Sequence, residues 1–540
     1  MLALRSPFVL AAAPLLLVCQ ALAQANTVNG LDGQLYDIST TTVWGRQGPQ
    51  HPNGQVAISV ANFICNPGSV DIPWRAAMDE NHPIFAFLFT RLSDDRLVQI
   101  SNRSFCKHAF ISVNGNHGPC APCFDPQNGT VMGVGCADIY GASTNASRFW
   151  LGPADEVNPW LGTWNSVGSY FDRGDPDVGP PFNSDGIRSL TETMTTVWMM
   201  GQTKNRVLLS ESELVVPGAQ FHYMVQLIHQ GEHVSKRDNN ILSRELDMFW
   251  NGVAWLENDQ GPAMSGTVLH RWPGATVTLG GNGQDDGRIA VACKVTGPTD
   301  GKWHYEYAIH NIDNHRGLAS FRLPVCPQAT IENLGFRDID QDSLNDWTAS
   351  VSGNEILWSA PANNALRWNT LFNFWFDSDA APNSANADFD QALLGPGAAS
   401  FQVVTDGPVD LPHIDLGPGC GSATYTLRGN GLPVSPNPNY QIRLEAPPMT
   451  SALVFYSFAV NNTIVAPGCI QYLDGTAPPF FHFATTDATG LVDMPLSIPP
   501  GLNPGTIYFQ AAVAQANGPV FEGFGLSNGL AVRMGQHGCQ

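Results

Sequence analysis

Residues 105–123 read FCKHAFISVNGNHGPCAPC and bring three cysteines, two histidines and a lysine into one short stretch. Three chemistries use such a set. Cys120-Ala121-Pro122-Cys123 has the spacing of a redox dithiol, in which a helix N-terminus lowers the thiol pKa. Cys106, Cys120, Cys123 and Cys136 have the makings of a tetrahedral thiolate zinc site. His108 and His117 offer neutral imidazoles, which suit copper or zinc. Each chemistry makes a structural demand. The dithiol needs a helix after it, yet Phe124-Asp125-Pro126-Gln127-Asn128-Gly129 reads as a turn. Zinc needs thiolates that stay reduced. The competing reading is two local disulfides with Cys65 as the spare, and a buried His108 satisfied by a backbone carbonyl.

Two further patterns touch on catalysis. His229-Gln230-Gly231-Glu232-His233 is a formal H-x-x-E-H, the inverted zinc-peptidase signature, which requires both histidines on one face of a helix. The preceding FHYMVQLIH alternates like a strand and Gly231 weakens any helix, so the pattern reads as a strand end running into a turn. Gly525-Leu526-Ser527-Asn528-Gly529 matches G-x-S-x-G without the strand-elbow-helix context of a nucleophile. A third pattern points to calcium. Asp338, Asp340, Asp342 and Asp346 place carboxylates at loop positions 1, 3, 5 and 9, which converge on one hard cation when a loop curls. Ser343 stands where an EF-hand has glycine and Ala349 where it has a bidentate glutamate, so the loop resembles the shorter aspartate-rich calcium loops of extracellular modules.

What a cysteine can do depends on compartment. Residues 1–25 carry Arg5, an apolar run from Phe8 to Val18 and small-x-small cleavage sites, the pattern of a secretory signal peptide. Val18 before Cys19 departs from a lipid-attachment motif, and no later stretch is apolar over the roughly 20 residues that span a bilayer. The expected location is secreted or cell-surface, where disulfides are the default for the ten remaining cysteines. Cys420 with Cys469, and Cys293 with Cys326, are the expected pairs outside the N-terminal region. The formal net charge of −21 repels phosphate backbones and argues against nucleic acid. It suits calcium, cationic partners or solubility.

The elements that must hold these residues read as strands. Phe221, Tyr223, Val225 and Leu227 share one face of 221–229, and Phe372, Phe374 and Phe376 one face of 371–377. HYEYAIHNI (304–312) and ASFRLPV (319–325) read as neighbouring strands joined by a turn. Helical periodicity is confined to 189–201 and 241–250. The expected fold is all-β, with two to three β-sandwich-like domains. Along the chain the expected order is a signal peptide at 1–25, an irregular, disulfide-stapled β domain at 26–180, a central sandwich at 181–408, a linker at 409–419 and an immunoglobulin-like sandwich at 420–540.

GCGSATYTLRGNGLPVSPNPNYQIRLEAPP, the later PGC, IPPGLNPGTIYFQAAV and GLSNGLAVRMG resemble a β-sandwich module at the ends of uncharacterised exported bacterial proteins. SFCKHAFISVN, GVGCADIYGASTNAS, WHYEYAIHNIDNHRGLASF and NALRWNTLFNFWFD are similar to the bodies of the same group. The resemblance implies fold and export, and brings no catalytic residue with it. Two function classes follow. One is a non-catalytic protein for binding or surface architecture, calcium-stabilised, with an extracellular polymer, glycan or surface protein as partner. The other is a secreted copper- or zinc-dependent enzyme whose site uses His108, His117, His229 or His233.

Overall fold

A computed structural model describes residues 27–534 apart from 77, 181, 197–200, 283–286, 341, 411, 475–479 and 504. The expected signal peptide and Cys539 lie outside the described residues. The protein is all-β, built from antiparallel sheets. In the first sandwich a four-stranded sheet, led by Gln34–Gln47 and Gln55–Cys65, faces a seven-stranded sheet centred on Ile84–Ser93 and Gln220–Ile228. Alternation decides what lies between them: Ile58 and Val60 from one sheet meet Phe87, Tyr223 and Val225 from the other, all buried.

The second sandwich pairs two five-stranded sheets around an aromatic core in which Phe321 stacks on Trp358 and Phe389 and meets Tyr307 edge-on. A smaller apolar layer joins the two sandwiches. Met224 and Leu88 lie on the outer face of the first sandwich's larger sheet, against Ala290, Ala308 and Leu371 of the second. The third sandwich sets a six-stranded sheet on a three-stranded one around Tyr440, Val454 and Val513.

Several sequence expectations change. Residues 241–250 form a strand, Ile241–Trp250, not a helix. Leu242, Leu246 and Met248 satisfy a period of two as well as a helical repeat, and pairing on both sides with Gln220–Ile228 and Trp255–Ser265 settles the choice. Helix in 189–201 is limited, among the described residues, to Glu192–Thr196. The boundary at 180–181 falls inside the first sandwich, since Val207–Ser210 and Gln220–Ile228 complete its two sheets; the turn-rich 171–186 stretch is a loop within it. Residues 409–419 are not a linker. Strand Ser400–Asp410 ends the second sandwich and His413–Gly417 already pairs into the third. Lys302–Asn311 and Leu318–Pro324 are not sheet neighbours: the turn between them carries the chain across the core, into opposing sheets.

Candidate functional site

The chemistry-bearing corner resolves into separate pieces. Strand Gln55–Cys65 pairs Cys65 with Ala137, which brings the strand end beside the 115–137 loop. There Cys65 bonds Cys120 and Cys123 bonds Cys136, so each half of the C-x-x-C is committed to a different partner and no dithiol or thiolate zinc set remains. The spare thiol is Cys106 rather than Cys65. Its strand, Cys106–His108, pairs with Ile84–Ser93 and Leu151–Gly152 and turns Cys106 into an apolar cluster, where burial pushes its pKa up to about 12. A thiol held protonated is a poor nucleophile and a poor ligand.

Lys107 and His108, next in the chain, are both fully buried. The Lys107 ammonium donates to the Thr144 carbonyl at 2.7 Å and lies 5.0 Å from the centre of the Phe110 ring. Burial and then the Arg188 charge hold its pKa well below that of an ordinary lysine. His108 Nδ1 lies 2.6 Å from Nε2 of His82, a residue with no signal in the sequence, and His82 Nδ1 lies 2.5 Å from the Asp79 carbonyl oxygen. A carbonyl can only accept, so His82 donates from Nδ1 and accepts at Nε2 from His108. That assignment leaves a lone pair on His108 Nε2, which has no partner in the structure. Trp164 and Phe171 close edge-on around the pair. Burial drives both imidazoles toward the neutral form, His82 to about 4 and His108 well below its ordinary value. His117 is elsewhere, exposed on the stapled loop with Nδ1 3.2 Å from the Tyr36 hydroxyl.

The H-x-x-E-H segment is the end of strand Gln220–Ile228, a turn through Gly231 at φ +87°, and a 3-10 turn Val234–Asn240. Its two histidines therefore do not share a helical face. His233 accepts from the Ser235 amide as a cap. His229 is buried, with Nε2 3.2 Å from Glu232 Oε1. The same oxygen accepts the Gly33 amide at 3.0 Å, and Oε2 accepts from Asn240. Burial raises the Glu232 pKa, but His229, the Gly33 amide and Arg237 together outweigh it and hold the carboxyl below its usual range. Arg237 donates to the Glu232 carbonyl and stacks on Trp160, while Arg288 pairs with Asp313 at 2.9 Å on the far wall of the same small polar cavity. The network joins the first sandwich to the turn at 313 of the second.

In the aspartate loop, successive side chains accept backbone amides two residues on: Asp338 from Asp340, Asp340 from Asp342 and Asp342 from Leu344. Asn364 donates to Asp338 at 2.6 Å and ties the loop to the second sandwich. Burial is the largest influence raising the pKa values of Asp338 and Asp346; neighbouring carboxylates add to it, and at Asp338 the Asp340 amide and Asn364 oppose it. Ser527 of the G-x-S-x-G match is buried and spent on backbone, accepting from Ala511 and donating to the Asn528 carbonyl. Among the described residues no three His, Cys, Asp or Glu side chains converge as metal ligands.

The remaining staples divide. Cys420 bonds Cys469, as spacing predicts. Cys293 does not pair with Cys326: it lies within strand Arg288–Thr299, and Cys326 lies in the loop after Leu318–Pro324. Cys293 is a buried free thiol whose pKa burial pushes up to about 12, and Cys326 is disulfide-bonded to a different residue.

No helix among the described residues is long and apolar enough to cross a membrane, which says nothing of strands. The sequence matches no family model and no curated protein. Among solved structures, it is similar to the major pilin subunit BcpA of Bacillus cereus at 11% identity, covering 54% of this chain and 80% of that one, with a TM-score of 0.17. A tetra-tandem repeat in the extending region of a large adhesion protein aligns at 8% identity over 93% of this chain and 74% of that one, with a TM-score of 0.13. A putative membrane anchored protein from Corynebacterium diphtheriae aligns at 10% over 95% and 98%, with a TM-score of 0.15. Identities and TM-scores this low establish neither a common topology nor a common activity.

Proposed function

We propose that the chain is an exported, non-catalytic β-sandwich protein of binding or surface architecture. The observation that carries this reading is the fate of the residues best equipped for chemistry. The C-x-x-C thiols staple the first sandwich, His108 pairs with His82 in an aromatic enclosure, and Glu232 holds together Gly33, Asn240 and His229. Such groups rigidify a scaffold rather than meet a substrate. The disulfides fit an oxidising compartment and the formal charge of −21 fits a soluble outer surface. Surface biotinylation of intact cells, with thiol titration of the labelled chain, tests the reading. Labelled, oxidised protein supports it; reduced protein confined to the cytoplasm overturns it.

Calcium at Asp338, Asp340, Asp342 and Asp346 belongs to the same proposal as a structural cation. Its support is four carboxylates within nine residues of one loop; among the described residues no three of them converge, so binding requires the loop to close on the ion. Binding to the folded state alone stabilises by RT ln(1 + [L]/Kd), about 2.7 kcal/mol at a hundredfold excess. The melting temperature of wild type is expected to rise in millimolar calcium over chelator, and that of Asp340→Asn/Asp342→Asn to stay level. Equal melting of wild type in both conditions rejects the cation.

A further inference from the structure

The six-stranded sheet of the third sandwich ends on Phe480–Thr485, whose one neighbour in that sheet, among the described residues, is Ser451–Ser457. The strand reads FFHFAT. Its outward backbone is an unpaired row of donors and acceptors, and natural edges are normally blunted by lysine, proline or a bulge. The six strand residues include none of them, with Pro478 and Pro479 just ahead of the strand in the sequence. Phe480, Phe481 and Phe483 are 53%, 58% and 75% exposed, with Phe458 at 67% and Phe521 at 91% nearby on the same module. Phe480 and Phe458 lie toward the core side, against Tyr456, so on the outer face Phe481 and Phe483 leave about 270 Å² of ring in water at roughly 200 Å² each, and Phe521 across the groove adds about 180 Å². A standard interface buries about 800 Å² on each partner, so this face supplies about half of one and the backbone pairing of the edge must supply the rest.

We infer that two copies of the chain associate through this edge, strand to strand and antiparallel. Charge selects the occupant. Each copy carries −21 overall, yet the six strand residues hold no carboxylate and no ammonium, so like-charged copies meet little local repulsion here. A cationic partner would be drawn to the acidic surface instead. Symmetry makes the edge self-complementary: a twofold axis at His482 sets Phe481 opposite Phe483 of the second copy, and the reverse, on one face of a continuous sheet. That face already holds Leu453 and Phe455 in register with Phe483 and Phe481. They line an apolar groove of about 460 Å³ with Val465, Phe521 and Phe524, which the second copy's rings would extend. The pairing does not depend on surface location, so its failure would leave that reading intact.

Sedimentation of the purified full chain, from low micromolar concentration upward, tests the pairing. Wild type is expected to show a concentration-dependent dimer, and Phe481→Lys/Phe483→Lys to raise the dissociation constant about tenfold or more. Both side chains are exposed, so the variant should keep the wild-type melting temperature, which is measured alongside. A second readout fixes the register: oxidised His482→Cys should give a covalent dimer, and Val492→Cys, on the opposing sheet, should not. A monomer at every concentration, or a dimer unchanged by the double lysine variant, overturns the inference.

Discussion

Replacing Glu232 with glutamine separates a scaffold from a peptidase, because the two accounts assign the carboxylate opposite jobs. In a zinc peptidase the glutamate of H-x-x-E-H is a general base, and its amide leaves the fold intact while abolishing hydrolysis. Here Oε1 accepts the Gly33 amide and touches His229, and Oε2 accepts from Asn240, all at a side chain 1% exposed. Glutamine has one acceptor oxygen. With that oxygen kept on the Gly33 amide, the new NH2 group faces Asn240, which must turn its own amide over to accept, and every contact that remains loses the strengthening of a charged acceptor. Hydrogen bonds to a charged group contribute about 1.5–3 kcal/mol against about 0.5–1.5 for neutral ones, so over the Gly33 and Asn240 bonds the substitution should cost about 3 kcal/mol. Spread over a cooperative unit of roughly 240 residues, that is about 6 °C in melting temperature. The folded carboxyl pKa lies below its ordinary value, so the stabilisation is present above the unfolded pKa and fades as pH falls through the folded one. Calorimetry of wild type and Glu232→Gln should show a gap at neutral pH that closes in acid. Equal melting temperatures across the pH range would refute the structural role.

Other consequences are as direct. Cys420→Ala/Cys469→Ala opens a loop with sequence separation 49 and should destabilise the third sandwich by about 4 kcal/mol by chain entropy, read as loss of its own melting transition at lower temperature. The His82–His108 pair folds neutral, with the His82 pKa lowered to about 4. The unfolded chain binds the proton first, so stability should decline by about 3 kcal/mol between pH 6.5 and 4, and His82→Gln should flatten that slope in acid titrations followed by tryptophan fluorescence. Unchanged slopes would remove the pair from the account.

Strand identity was legible where side-chain alternation met a two-sided sheet. Phe221, Tyr223 and Val225 point into the first core and Phe372, Phe374 and Phe376 into the second, as their period of two requires. Partnership was less legible. Asp313 to Gly317 has the turn chemistry of a hairpin, but the same turn serves a crossing between sheets, and only the cross-core packing of Phe321 on Tyr307 distinguishes them. Cysteine spacing fails for a similar reason. Cys65 reaches Cys120 because strand register delivers it there, while Cys293 stays a free thiol inside its strand and Cys326 lies in a loop beyond the strand Leu318–Pro324. His82 lies 26 positions from His108 in a loop with no periodic signal, so nothing local marks it as the partner. The strand end at His229 and the turn at Gly231 were readable, since alternation and glycine act locally.

The central claim is that the buried histidines are structural. Elemental analysis of the full chain, purified without chelator, tests this most directly. Copper and zinc are expected far below one atom per chain, with His108→Gln and His229→Gln leaving the metal content unchanged. One equivalent of copper or zinc in wild type, lost in either variant, would contradict the account and place a metal centre at that histidine.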